Sequence, residues 1–281
     1  MILIRQFIRH FLLAIQFFTR IPVTGKLAGW VGFSPDMLRA SAAHFPGVGV
    51  VIGGAAAAVF ALGVLLLPYT TFTPLVAAAF STVATVWLTG GFHEDGLADV
   101  ADGLGGSYDR DRALEIMKDS RVGAFGAMAL VLALLCKVAL LALLGSVEWP
   151  VDADEPPAFS GWYVCAALWL GHIVSRTLPL VMIRLLPHVG DTATSKSKPL
   201  ADQISTGGLS IAFLWCFSAF LLAGVAFNAI NLIVGCSFSV LALLGLLRFF
   251  RRRLQGFTGD CLGTTQQVCE IAFYLGLAVS L

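Results

Sequence analysis

Gly90-Gly91-Phe92-His93-Glu94-Asp95-Gly96-Leu97-Ala98-Asp99-Val100-Ala101-Asp102-Gly103-Leu104-Gly105-Gly106 follows an apolar run and decides how the chain is read. The aspartates stand at i, i+4 and i+7. On a helix turning about 100° per residue, Asp99 and Asp102 lie within about 40° of Asp95. Three carboxylates on one stripe repel each other unless a cation sits among them. The residues between them are small (Gly96, Ala98, Ala101, Gly103), so a large ligand or another helix can approach closely. The stretch reads as a divalent-metal site at a membrane surface, with Asp95, Asp99 and Asp102 as ligands. The plain alternative is a solvated acidic helix end. Hard oxygen donors suit Mg²⁺ or Mn²⁺, and Mg²⁺ usually takes one or two carboxylates plus substrate phosphates.

The rest of the chain is the setting for that stripe. It has 281 residues, 58% hydrophobic and 12% charged, with a mean hydropathy of +0.86. Soluble domains carry about 25% charged residues. Long apolar runs between short polar segments predict an all-α, polytopic helical membrane protein of about seven transmembrane helices. The expected spans are about 42–67, 74–91, 123–144, 161–186, 207–227, 229–247 and 265–281. Residues 1–20 mix Arg5, Arg9 and His10 with Ile, Leu and Phe, as an interfacial or re-entrant helix does. One integral membrane domain over 1–281 is expected. Residues 1–40 form its N-terminal helix and connection, and 41–281 the bundle, with cytoplasmic active-site segments 92–123, 188–206 and 248–264.

Charge supports that topology. Apart from Lys137, Arg176 and Arg184, the 18 Lys and Arg fall into Arg5 to Arg39, Arg110 to Arg121, Lys196 with Lys198, and Arg248 to Arg253. The loops on the other side carry none, which is the positive-inside pattern and places the aspartates on the cytoplasmic side. A net charge of +1 gives no reason to expect nucleic-acid binding, and six cysteines without metal-ligand spacing read as small core residues.

Other residues qualify as partners of the stripe. Lys118 and Arg121 are three apart and can face one phosphate, and Asp119 can complete a metal's ligands; the alternative is a juxtamembrane turn touching headgroups. Arg176, inside a span, needs an anionic partner, either substrate phosphate or a structural carboxylate. Asp260 stands in a Gly-rich loop, and Glu270 lies in the final span; either can reach the metal or a ligand. Glu94 points about 100° from Asp95 and reads as lying behind the ligands or merely exposed. His93 can orient a carboxylate or cap the helix. Arg248 to Arg253 read as a topology anchor.

At this point the sequence resembles the adenosylcobinamide-GDP ribazoletransferase, or cobalamin synthase, family. Gly-Gly-Phe-His-Glu-Asp-Gly-Leu-Ala-Asp-Val-Ala-Asp-Gly (90–103), Asp-Arg-Ala-Leu-Glu-Ile-Met-Lys-Asp-Ser-Arg-Val-Gly (111–123) and Gly-Asp-Cys-Leu-Gly (259–263) carry the likeness. Phe18-Thr19-Arg20-Ile21-Pro22 and Phe45-Pro46 also fit it. Family members commonly have Leu where this chain has Glu94, which argues against an essential role there. The resemblance implies an inner-membrane enzyme needing Mg²⁺, with its active site facing the cytoplasm. It would join adenosylcobinamide-GDP to α-ribazole, or its 5′-phosphate, and release GMP. Asp95, Asp99 and Asp102 would hold the metal, one of them or Asp119 would take the proton, and Lys118, Arg121 and Arg176 would hold phosphates. Asp260 and Glu270 complete the candidate substrate-binding set. A homo-oligomer, or association with other cobalamin-assembly enzymes, is compatible with it.

Two other readings compete. A phosphotransferase of the CDP-alcohol type also uses spaced aspartates, but there an Ala-Arg follows the first Asp-Gly, and here Leu97-Ala98-Asp99 follows Asp95-Gly96. A cation transporter would place its acids near mid-membrane among broken helices.

Overall fold

The computed structural model describes residues 2–148, 161–190, 203–223 and 226–281. Asp152, Asp154 and Glu155 of the acidic loop, and Lys196 and Lys198, lie outside the described residues. Among the described residues the structure is helical, with one isolated bridge between His188 and Phe257.

The chain opens with α1 (Ile2–Phe18), α2 (Gly25–Val31) and α3 (Pro35–Ser41). α1 exposes Leu3, Ile4 and Phe7 and buries Leu13, Ala14 and Phe18, as suits a helix lying partly in the interface. There follow α4 (Phe45–Leu66), α5 (Thr73–Thr89), α6 (Phe92–Gly106), α7 (Arg110–Ile116), α8 (Ala124–Ser146) and α9 (Trp162–Leu185). α10 (Thr206–Ala223), α11 (Ala229–Arg253) and α12 (Gly259–Val279) complete the described elements.

Among the described residues, five segments are long and apolar enough to cross a membrane: Pro35–Leu66, which joins α3 to α4, and α8, α9, α10 and α11. α5 and α6 pass the same test only when taken together, and they are bent by 90° at the break between them. The expected seventh, α12, has a span's length but not its apolarity. It buries Thr264, Thr265, Gln266, Gln267 and Glu270 among α6, α8, α9 and α11, so its polar residues find protein partners instead of lipid. Leu214, Phe217 and Leu221 on α10, and Val131, Leu132 and Leu135 on α8, are exposed as lipid-facing residues would be.

The bend that ends α5 positions the site. Gly90 (φ 73°) and Gly91 (φ 71°) are both left-handed, a conformation that side chains with a Cβ resist. Gly90 also lies where a Cβ would come 2.6 Å from Arg20 Nε. Because α6 leaves α5 at a right angle, it carries its aspartates across the end of the bundle.

α4 and α9 pack through Gly49 and Gly53. A Cβ on Gly49 would lie 2.4 Å from the His172 carbonyl oxygen, and one on Gly53 would lie 2.9 Å from that of Trp169. Small residues four apart let two backbones meet this closely in a membrane. Gly54, one residue on, meets nothing within 4 Å and provides the control. Gly49→Ala should cost about 1–3 kcal/mol through overpacking, whereas Gly54→Ala should be neutral or slightly stabilising. Thermal unfolding of the two variants in detergent checks the difference.

Candidate functional site at the α6–α12 junction

α6 and α12 meet backbone to backbone. A Cβ on Gly96 would come 2.9 Å from the Asp260 carbonyl oxygen, and Thr264 Oγ1 donates to the carbonyls of Gly96 (3.0 Å) and Asp260 (2.9 Å). This contact brings Asp260, in the first turn of α12, beside the acidic face of α6. Asp95 is exposed there and Asp99 is half-buried. Burial first, then the charges of Asp260, Asp95 and Asp102, raise the Asp99 carboxyl to about 7. Burial, with a smaller push from Asp95, also raises Asp260. The residues most in conflict are therefore Asp95, Asp99 and Asp260, a set that pairs the stripe with a residue distant in sequence.

Asp102 departs from the expected ligand role. It is buried, its Oδ2 accepts the Gly123 N–H at 2.7 Å, and its Oδ1 accepts the Gly126 N–H at 2.8 Å. Those amides open α8, and a carboxylate at a helix start satisfies donors that have no partner within the helix. A Cβ at Gly123 or Gly126 would fall 2.4 or 2.3 Å from this carboxylate, which explains glycine at both positions. Among the described residues, no three His, Cys, Asp or Glu converge as a ready metal cage. The expected three-ligand stripe thus narrows to Asp95 and Asp99, with Asp260 alongside.

The 111–123 segment stands at the same end of the bundle. Arg121 Nε donates to Asp119 Oδ1 at 2.9 Å, and this exposed pair holds Asp119 down at about 2. A carboxylate so acidic is a poor proton acceptor near neutrality, and it faces Arg121 instead of the aspartates, contrary to its expected catalytic place. Lys118 is exposed on the same turn. Arg253 was grouped with a topology anchor but does more: its Nη2 donates to the carbonyls of Leu104 (3.2 Å) and Ser107 (2.6 Å), closing the C-terminus of α6 with a cation. Arg110 Nε returns the tie to the Leu254 carbonyl at 2.8 Å.

Glu270 and Arg176, expected among substrate-binding residues, are instead buried together, at 1% and 2% exposure. Glu270 accepts from Lys137 Nζ (2.7 Å), Gln266 Nε2 (2.6 Å) and the Tyr274 hydroxyl (3.1 Å). Arg176 Nη1 lies 2.9 Å from His172 Nδ1 and stands over the Phe45 ring, in electrostatic reach of Glu270 and Glu94. Glu94 is buried, neither exposed nor at the metal face, and accepts from Gln267 Nε2 at 2.9 Å. Charges inside a membrane bundle must neutralise one another, and these do so without substrate. Lys137, whose place inside an apolar span calls for a partner or a wet cavity, finds that partner in Glu270. His93 is also buried, with no hydrogen-bond partner on either ring nitrogen among the described residues.

The family described as Cobalamin-5-phosphate synthase matches residues 10–278. The adenosylcobinamide-GDP ribazoletransferase of Polaromonas naphthalenivorans is 86% identical over 276 residues, covering 98% of this chain and 99% of that protein. The protein of the same name from Albidiferax ferrireducens is 61% identical, covering 98% and 99%. That of Shewanella halifaxensis is 41% identical, covering 96% and 94%. No solved structure matches the chain.

Two outcomes test the site. Glu270→Gln leaves Lys137 and Arg176 without a buried counter-charge and should cost about 3–5 kcal/mol, seen as a fall in unfolding temperature. The second concerns Asp99, whose folded pKa lies above its ordinary 3.8. Folding takes up a proton between pH 4 and 7, so this group lowers stability as pH rises through that window. Asp99→Asn should raise the metal-free unfolding temperature at pH 8, and the gain should shrink towards pH 4. Added Mg²⁺ should stabilise the parent at pH 8 more than the variant.

Proposed function

The chain belongs to the cobalamin-5-phosphate synthase family, and we propose that it catalyses the reaction for which its relatives are named. Cobinamide phosphate passes from adenosylcobinamide-GDP to an alcohol of α-ribazole, or of α-ribazole 5′-phosphate, and GMP leaves. The observation that carries this reading is the electrostatic coupling of Asp95, Asp99 and Asp260 where α12 packs on α6, at the end of the bundle that also bears Lys118 and Arg121.

A divalent cation, Mg²⁺ or Mn²⁺, fits the donor set. Carboxylate oxygens are its preferred ligands, and the Asp99 carboxyl is raised by burial first and then by the charges of Asp260, Asp95 and Asp102, which a cation would offset. Among the described residues there is no closed protein cage, so water and substrate phosphates would fill the cation's remaining positions, as they commonly do for Mg²⁺. Asp95 and Asp99 would hold it, with Asp260 beside them. When bound, it supplies neutralisation of the diphosphate and of charge on the leaving phosphate.

The chain's own residues do the rest. Asp260, set beside the two ligands and raised by burial, is suited to accept the proton of the attacking hydroxyl. Arg121 can exchange its exposed partner Asp119 for a substrate phosphate at little cost, since water and salt screen such surface pairs. Lys118 adds a second cation. Phosphoryl transfer needs no covalent intermediate, because positioning and charge stabilisation suffice. The distribution of Lys and Arg supports a bacterial inner membrane protein with this end of the bundle in the cytoplasm.

The test uses purified protein in nanodiscs, following GMP release from adenosylcobinamide-GDP plus α-ribazole. Release should require both substrates and Mg²⁺, and Asp95→Asn or Asp99→Asn should lower kcat by a factor on the order of 10². Full activity in either variant, or release without the nucleoside, would overturn the assignment.

A further inference from the structure

Two grooves lie end to end along α11. The one nearer the polar end holds about 360 Å³ and is lined by Leu185, Leu244, Leu247, Arg248, Arg251 and Arg252. The deeper one holds about 380 Å³ between Val174 and Leu178 of α9, Phe213 and Phe217 of α10, and Cys236 and Val240 of α11. α10 and α11 each pack on α9 and make almost no contact with each other, which leaves the deeper groove open between them. The α11 strip is continuous, since Cys236, Val240, Leu244, Leu247 and Arg251 fall within about 80° of one another on a helix. From Cys236 to Arg248 it rises about 18 Å, close to the ~15 Å that one leaflet contributes to a hydrocarbon core.

The arginines at the head of this trough are unused within the protein. Arg253, the last of the run, bonds the Leu104 and Ser107 carbonyls. Arg248, Arg251 and Arg252 are exposed, with neither an ion pair nor a side-chain hydrogen bond among the described residues. A topology anchor needs only positive charge on one side of the membrane and is indifferent to what lies beneath it. Here three guanidinium groups, whose planar forks suit phosphate oxygens, stand at the mouth of an apolar trough.

We propose that this trough binds one anionic glycerophospholipid, with its phosphodiester on Arg248, Arg251 and Arg252 and one acyl chain along Leu244, Val240 and Cys236. Basic pockets between membrane helices are suited to such head groups. A free phosphate or a nucleotide would engage the arginines but leave the trough below them unfilled. A zwitterionic lipid would fill the trough but bring a cation of its own to three others. The site is separate from the transfer chemistry and does not depend on it, yet it adjoins the frame of the acidic face. Leu186 lines the trough, and Phe257 N–H donates to the carbonyl of the next residue, Pro187, at 3.0 Å. Val189 N–H donates back to the Phe257 carbonyl at 2.9 Å, three residues before Asp260. A bound lipid therefore braces the turn from which α12 enters the candidate site.

Native mass spectrometry of the full chain in detergent tests this by titration with dioleoylphosphatidylglycerol and, separately, with dioleoylphosphatidylcholine. The parent should retain one phosphatidylglycerol with at least about tenfold preference over phosphatidylcholine. Arg251→Gln with Arg252→Gln keeps Arg248 and Arg253 as topology charges and should weaken phosphatidylglycerol by about 25-fold, near fivefold for each cation. Lys26→Gln, which removes an exposed cation from the N-terminal connection, should leave the affinity unchanged. Leu244→Trp alters no charge but narrows the trough beneath the head group, and it should weaken phosphatidylglycerol severalfold. Inorganic phosphate and GMP, added as competitors at the lipid's own concentration, should not displace it. Saturating phosphatidylglycerol should also raise the unfolding temperature of the parent, as any ligand of the folded state does.

A parent that retains the two lipids equally would overturn the site and leave Arg248 to Arg252 as a topology anchor only. So would an arginine double variant that holds phosphatidylglycerol as the parent does, or one that loses no more than Lys26→Gln. Should the double variant fail to fold, Leu244→Trp decides: folded, with its charges intact and its affinity undiminished, it removes the acyl trough. Displacement by inorganic phosphate or GMP at the lipid's own concentration would make the arginines a site for soluble phosphates and overturn the lipid assignment.

Discussion

A carboxylate in the middle of a membrane bundle governs this structure. Glu270 is almost fully buried, and its cationic partner Lys137 comes from α8, while His172 and Arg176 of α9 lie close by. In a medium that solvates ions poorly, none of these groups is tolerable alone, so the charges fix the spacing and rotation of three helices at once. Gln266 and Gln267 extend the constraint. The first bridges Glu270 and Ser175, and the second reaches Glu94 on α6. The seat of α6, and hence of Asp95 and Asp99, follows from the angle at which α12 satisfies Glu270.

Around that axis, the polar end of the bundle is assembled by contacts that use backbone as much as side chain. Gly96 lets α12 approach α6 closely enough for Thr264 to bond across. Asp102 starts α8, Arg253 finishes α6, and Arg110 ties α7 to the end of α11. The His188–Phe257 bridge fastens the exit of α9 to the segment leading into α12. Each link leaves Asp95 and Asp99 facing outward while immobilising what lies behind them. The acid conflict is concentrated at a rigid place, which is where a charged ligand is held most effectively.

Much of this was legible in sequence because its causes are local. Apolar run length placed α4, α5, α8, α9, α10 and α11 within a few residues, and the Gly90-Gly91 break before an aspartate stripe marked the polar end. What escaped depends on which helices become neighbours. Helical spacing put Asp102 on the stripe, but not the Gly123 and Gly126 amides in front of it. The intramembrane positions of Arg176 and Glu270 demanded partners without saying that Lys137 and each other would meet the demand. Asp260 and Asp95 are brought together by the packing of α12 on α6, which no periodicity within either segment encodes. The expected seventh span proved to be the polar interior helix α12 for the same reason.

The right-angle turn at Gly90-Gly91 has a consequence for how the protein is made. α6 emerges from the ribosome long before α12, and after its right-angle turn it lacks the helix that completes its packing. Until α12 is inserted, Glu94 lacks Gln267, Gly96 lacks its close neighbour, and Asp95 and Asp99 lack Asp260. The acidic face therefore becomes complete late in synthesis, through contacts distant along the chain, which form slowly because they depend on the rest of the bundle being in place. A partly made chain would expose a loosely tethered acidic helix at the membrane, open to proteolysis and unable to begin chemistry on a bound diphosphate.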